Sequence, residues 1–192
     1  TQTDCQDVLE RIKIQNNYLL YVGSAYPHKN LERLISVFSR LIKDFTDLKL
    51  VLVGKKNYFY DRLQEQIDKD NLQDKIILTG YISDGELNCL YQHAQLYVFP
   101  SLIEGFGLPP LEAQAYNLPV ASSKLTCLPE ILDDSAAYFD PENINDMVGV
   151  IRAVLNDNGL RENLKIKGQK NLKRYSWNSC AQETLKEYNQ LK

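Results

Sequence analysis

No apolar run in this chain approaches the roughly eighteen residues that a membrane-spanning helix needs. The opening stretch, Thr1 to Glu10, is polar and acidic, so it lacks the apolar centre of a secretory signal. No initiating Met is present, as expected of a processed chain or of a fragment cut from something longer. Basic stripes are missing too: Lys and Arg are spread along the chain and the formal net charge is −3, so nucleic-acid binding has little electrostatic support. The four cysteines (Cys5, Cys89, Cys127 and Cys180) lie far apart and form no C-x-x-C pair, a pattern expected of free thiols in a reducing compartment. With two histidines, His28 and His93, and only scattered partners for them, a zinc site is not expected. Repeats, low-complexity tracts and linkers are absent, so residues 1–192 are read as one domain.

What is present is an ordinary globular composition. Apolar residues make up 44% and charged residues 24%, enough for a self-supporting core without disulfides or a structural metal. Tyr18 to Val22 (YLLYV), closed by Gly23, predicts a buried strand. Leu31, Leu34, Ile35, Phe38, Leu41 and Ile42 form the stripe of a helix that packs one face inward. Further strands are predicted at Leu48 to Val53, Lys75 to Leu78 and Leu96 to Phe99, one beginning with Pro119 to Ala121, and another at Ala136 to Phe139. Ser83 followed by Glu86 is a capping box that starts a helix at Asp84. Pro109 and Pro110 suit the first turn of another helix, running through Ala115, because a missing N–H costs little there. After Pro141 the chain reads as helical almost to its end, with turns near Asn158-Gly159 and Ser176.

This alternation predicts an α/β fold, a doubly wound parallel sheet of about six strands with Rossmann-like architecture. Right-handed crossovers put every strand-to-helix loop along one edge of the sheet, where ligands of such folds bind. The loops of interest are therefore Gly23 to Asn30, Gly54 to Tyr60, Gly80 to Ser83 and Pro100 to Pro109.

The last of these carries the most chemistry. In PSLIEGFGLPPLEA, Pro100 to Ala113, the glycines Gly105 and Gly107 free the backbone for positive φ and for close approach to a ligand. A helix start follows at once, with unpaired N–H groups and partial positive charge suited to a phosphate or a sugar hydroxyl. Glu104 and Glu112, eight residues apart, bracket the loop. Taken alone they would most often be solvated charges flanking a helix start, worth about 0.3–1 kcal/mol there. Lys29 stands just before a helix, where its charge opposes the dipole, and an anionic ligand would offset that cost. His28 leaves two readings open, a hydrogen bond to such a ligand or a role in shaping the loop after Pro27.

The run EGFGLPPLEA resembles the E-x7-E signature of glycosyltransferase family 4, whose members have the two-domain GT-B fold. YVGSAYPHKNLERLI is similar to that family's opening strand-loop-helix, and TGYISDGELNCLYQHAQLYVFPS to its middle. LPEIL and the closing YSW (Tyr175 to Trp177) match later landmarks, so the resemblance covers about 170 residues in order. It implies the C-terminal, donor-binding domain of a retaining, metal-independent hexosyltransferase with no cofactor. Glu104 would contact the transferred sugar, and Glu112 the ribose hydroxyls of the nucleotide. The Phe106, Gly107 and Leu108 amides would meet the donor, and Lys29 would offset charge on the leaving diphosphate. The donor would be a GDP- or UDP-sugar, with the HKN form of the first loop leaning toward mannose, and the acceptor a saccharide or lipid-linked saccharide. A missing N-terminal domain would supply the acceptor contacts, with the last helix, about 178–192, crossing onto it. Polysaccharide assembly in the cytoplasm, at the inner face of the membrane, would be typical.

Two positions depart from the family pattern. Ser24 stands where many relatives carry a phosphate-binding Arg, and Asn117 where Gly is usual, although Asn tolerates the left-handed conformation. Asp68-Lys69-Asp70 spells the D-x-D of metal-dependent transferases, but it follows an amphipathic helix and is expected away from the ligand edge. Lys55 and Lys56 could approach a base or phosphates, and His93 is read as a helix-end charge. A non-catalytic nucleotide-sugar-binding or partner-docking domain remains the alternative, with an epimerase of the same architecture as a third reading.

Overall fold

The computed structural model describes residues 4–14 and 17–190. The first three residues of the Thr1 to Glu10 stretch and the last two of the chain lie outside these. Six strands form one parallel sheet: β1 (Tyr18–Val22), β2 (Lys49–Val53), β3 (Ile76–Gly80), β4 (Leu96–Phe99), β5 (Val120–Ser123) and β6 (Ala136–Phe139). Their spatial order is β3-β2-β1-β4-β5-β6, the doubly wound arrangement whose chain direction of winding reverses between β1 and β4. In register, Leu19 pairs with Leu50 on one side and Leu96 on the other. Strands covered on both faces cannot alternate polar and apolar residues, and Tyr18 to Tyr21 are accordingly all fully buried.

Helices return the chain between strands: α1 (Cys5–Arg11), α2 (Leu31–Leu41), α3 (Tyr58–Lys69), α4 (Asp84–His93), α5 (Leu108–Ala115), α6 (Leu128–Leu132), α7 (Ile144–Asn156), α8 (Asn158–Leu172) and α9 (Trp177–Gln190). In α2 the buried face is Leu31, Leu34, Ile35, Val37, Phe38 and Leu41, the expected stripe with Val37 added; Ile42 falls just past the helix end. The Ser83–Glu86 capping box forms as expected at the start of α4. β3 runs on through Thr79-Gly80, ending where the Gly80 amide donates to the Tyr60 hydroxyl. The break expected at Asn158-Gly159 falls at Asp157, which ends α7 and caps α8 by accepting from the Leu160 amide. Asn117 has φ 57°, so it does take the left-handed conformation that Asn permits.

The thiol expectation needs correcting. Cys5 and Cys89 form a disulfide that joins α1 to α4 across 84 residues, with Cα atoms 5.2 Å apart, while Cys127 and Cys180 keep free thiols. Sequence spacing could not reveal this pair, because it depends on α1 folding back against α4, beside the Arg11–Glu86 ion pair. The inference from scattered cysteines to a reducing compartment therefore loses its basis.

α9 differs from the other long helices. None of its residues is buried, and Trp177, Leu185 and Tyr188 are 78%, 59% and 65% exposed. Among the described residues no helix is long and apolar enough to cross a membrane.

Candidate functional site

The reversal of winding between β1 and β4 opens the sheet edge, and the loops after these two strands meet there. The Leu102 amide donates to the His28 carbonyl at 2.8 Å, tying one loop to the other. Asn30 makes the second tie. Its buried side-chain amide donates to the Pro100 carbonyl at 3.1 Å and to the Pro141 carbonyl at 2.9 Å, while its own oxygen accepts from Arg33. Neighbouring β1 and β2 end closely enough that a Cβ on Gly54 would collide with the Gly23 carbonyl.

These ties bring Lys29 and Glu104 together. The Lys29 ammonium lies 2.6 Å from a Glu104 carboxylate oxygen, with side chains only 17% and 11% exposed. It also lies over the Phe99 ring, 5.9 Å from its centre, a favourable seat for a partly desolvated cation. Tyr21 underlies the loop and donates to the Ser24 carbonyl at 3.0 Å. Burial chiefly, and then the Glu104 charge, push its hydroxyl far above the ordinary phenol range, so it remains a donor.

α5 starts as the glycines suggest. Gly107 precedes it at φ 99°, a left-handed conformation that favours glycine, and no side chain caps the helix. Pro109 and Pro110 have no N–H to satisfy, and among the described residues the Phe106, Gly107 and Leu108 amides have no hydrogen-bond acceptor. The loop is held from behind. The Cys127 thiol lies 3.4 Å from the carbonyls of Glu104 and of Phe106, and the Phe106 ring meets Tyr175 edge-on at 5.7 Å. The YSW landmark thus braces the signature loop through Tyr175, whose hydroxyl is anchored on the Ile131 carbonyl.

Glu112 lies on the first turns of α5, near the surface, and one of its oxygens accepts from the Tyr91 hydroxyl at 3.0 Å. Behind it Gln114, 2% exposed, donates to the Ser135 hydroxyl and accepts from Asn171 of α8, fixing α5 against α8 and the turn Asp133–Ser135 that leads into β6.

The other candidates are dispersed. Ser24 is half-buried, its carbonyl accepting from Tyr21, whereas the His28 ring is exposed and stacked on Tyr26. Gly105 is exposed, with nothing within 4 Å of where a Cβ would stand. The Lys56 stem runs over Gly80, and Lys55 points to solvent. Asp68 and Asp70 sit at the far end of α3, which leads into the start of β3, at the edge opposite the loops. His93 closes α4, its ring nitrogen 2.9 Å from the Cys89 carbonyl. Sequence reasoning missed Asn30, Tyr91, Gln114 and Cys127. HKN was read only as a donor preference, and a tyrosine within a helix carries no signal for a contact made by its hydroxyl.

Comparison with known proteins matches residues 8–171 to the family model described as glycosyl transferases group 1. The chain is 32% identical over 187 residues to O-antigen chain mannosyltransferase B of Escherichia coli, covering 96% of this chain and 49% of that protein. It therefore spans about half the length of that relative. Among solved structures it superimposes on a sucrose-phosphate synthase from Thermosynechococcus elongatus with a TM-score of 0.84 at 23% identity, over 99% of this chain and 51% of the other. It also superimposes on the C-terminal domain of the glycosyl transferase group 1 family protein LpcC from Francisella tularensis, with a TM-score of 0.75 at 23% identity, over 89% of this chain and 92% of that one.

Proposed function

The chain belongs to the group 1 glycosyl transferases, and on that premise we propose that it is the C-terminal, donor-binding domain of a family 4 hexosyltransferase. The full protein would move a hexose, mannose favoured, from a GDP- or UDP-sugar to a saccharide or lipid-linked acceptor, with retention at the anomeric carbon. The mannosyl assignment draws support from the name of the Escherichia coli relative and from the HKN loop. The acceptor contacts belong to an N-terminal half that a relative about twice as long has room for. The bare surface of α9, with Trp177, Leu185 and Tyr188 outward, fits a helix that crosses onto that half. Saccharide assembly in the cytoplasm, with peripheral attachment to the membrane, belongs to the same proposal; it rests on the family reading alone, since the Cys5–Cys89 disulfide gives it no support.

One observation carries it: a cation, a carboxylate and a row of free amides converge where the winding of the sheet reverses. An ammonium group has three protons to donate, so Lys29 can hold Glu104 with one and meet a diphosphate with another. As the bond from sugar to phosphate breaks, negative charge grows on the leaving oxygen. Lys29 and the acceptor-free Phe106, Gly107 and Leu108 amides would receive that charge, and a loop held in place beforehand lowers the cost of reorganisation. That supply of positive charge is the ground for proposing that no divalent metal is required. Glu104 then addresses the sugar, and Glu112 addresses the ribose through the oxygen that Tyr91 does not hold. At Gly105, where the protein leaves open space, the missing side chain suits close approach by a ligand. Ser24, half-buried in the same loop as Lys29, would line the phosphate end, and His28 would reach it only if its ring leaves Tyr26.

Calorimetric titration of the chain with GDP, UDP, GDP-mannose and UDP-glucose, with EDTA present, tests the proposal. One base should be preferred, and both Lys29→Ala and Glu112→Ala should weaken its binding. Binding that requires added Mg²⁺ or Mn²⁺ would overturn the metal-independent reading. The docking-domain alternative is separated by Glu104→Ala in the full-length protein, which removes transfer from an enzyme but leaves a docking module's partner bound.

A further inference from the structure

We infer that Tyr91 is a positioning residue for nucleotide binding: its hydroxyl holds one oxygen of Glu112 so that the other is presented to the vicinal hydroxyls of a ribose. This rests on the donor-binding role proposed for Glu112. Tyr91 is 2% exposed and its ring packs against two others. It stacks on Tyr116 with centroids 5.4 Å apart and planes 7° from parallel, and it meets Tyr97 of β4 at 6.0 Å. Glu112, within α5, and Tyr116, its C-cap residue, are four residues apart and hence on one face of it. α5 therefore grips Tyr91 twice, by ring stacking and by the hydrogen bond of 3.0 Å.

A glutamate at the surface would otherwise sample many rotamers, and ordering it on binding would cost affinity. A rigid donor removes most of that cost in advance. It also leaves charge in place, because a neutral hydroxyl orients a carboxylate without neutralising it. Burial first, and then the Glu112 charge itself, hold the Tyr91 proton far beyond the ordinary phenol range, so the donor persists at every physiological pH. Among the described residues, the other Glu112 oxygen has no hydrogen-bond partner.

The test titrates the chain, or the full-length protein where the chain alone binds too weakly, with GDP and UDP, each beside its 2′,3′-dideoxy counterpart. Tyr91→Phe retains both ring contacts and removes one oxygen. It should weaken the preferred ribonucleotide about tenfold, the loss expected for a charge-assisted contact, and leave the dideoxy form unchanged. In a Glu112→Ala background the same substitution should have no further effect. Equal loss of both nucleotides, an undiminished loss without Glu112, or no loss at all would overturn the positioning role while leaving the ribose role of Glu112 standing. If the wild-type protein does not distinguish ribose from dideoxyribose and Glu112→Ala is silent, the role of Glu112 fails, and that of Tyr91 with it.

Discussion

Glu104 meets a cation, Lys29, at 2.6 Å; Glu112, eight residues on, meets a neutral hydroxyl, that of Tyr91, at 3.0 Å. The two ends of the same signature are thus prepared differently. At the first, a compensated ion pair sits in a half-buried corner, so its members hold each other in place and each keeps hydrogen-bonding capacity to spare. At the second, the carboxylate keeps its full charge at the surface and only its direction is set. Their anchors differ as well. Asn30 ties the Glu104 end through carbonyls of two separate loops, whereas Gln114 ties the Glu112 end through a side-chain network among helices. The lesson is that two identical residues acquire different chemistry from what the fold sets beside them.

The contrast can be broken first at Lys29. In the full-length protein Lys29→Ala is expected to lower kcat roughly 10²–10³-fold, the range for losing one oriented electrostatic group, measured by sugar transfer under saturating donor. An effect confined to KM would assign Lys29 to ground-state binding alone. At the same end, Asn30→Ala should destabilise the chain by about 2–3 kcal/mol, since two buried donors vanish and Ala must adopt the left-handed backbone at φ 63°. Urea denaturation reads this directly.

Between the two ends, Gly107→Ala should cost about 2 kcal/mol from its positive φ, with added crowding because a Cβ there would stand 2.9 Å from Leu128. Nucleotide affinity should fall with it if the free amides form the site. At the second end, Gln114→Met keeps the volume, and its partners retain other hydrogen bonds: Asn171 to the Ile131 carbonyl and Ser135 to the Leu132 carbonyl. About 1 kcal/mol is expected, and a loss as large as that of Asn30→Ala would erase the difference between the anchors.

Raising the pH sharpens the comparison more gently. Burial pushes the Tyr60 hydroxyl, which accepts from the Gly80 amide, up from 10.0 to about 12. The unfolded chain releases this proton near pH 10 while the folded one keeps it longer, so the contribution is intact below pH 10 and is lost as pH rises to about 12. Tyr91 is raised further still, so tyrosinate absorbance should show Tyr60 ionising first, while Tyr91 keeps the proton that it donates to Glu112. Early loss of nucleotide discrimination, before any unfolding, would count against this order.

Much of the site was legible because it consists of local signals. Glycines followed by two prolines announce a strained loop and a helix start, and Ser83 with Glu86 announces another. Their meaning is carried by bonds within a few residues, so spacing along the chain suffices. The Lys29–Glu104 pair was legible only as two candidates; their contact spans 75 residues and exists because β1 and β4 are neighbours. Tyr91 was invisible for a related reason. Its apolar ring satisfies the helix pattern completely, and nothing in that pattern says where the hydroxyl ends. The Cys5–Cys89 disulfide, spanning 84 residues, is the plainest failure, since pairing follows Cα proximity and not spacing.

Alone, the amino-acid order determined most element types, the parallel α/β class and the loop proposed to carry the chemistry. Hydrophobic period and turn residues act over one or two turns of chain, and local forces decide them. Which loops face each other, which carboxylate receives a cation and which a phenol, and which cysteines join were decided only when six strands took the order β3-β2-β1-β4-β5-β6. That order is set by burying many apolar faces at once, a sum over the whole core that no single segment contains.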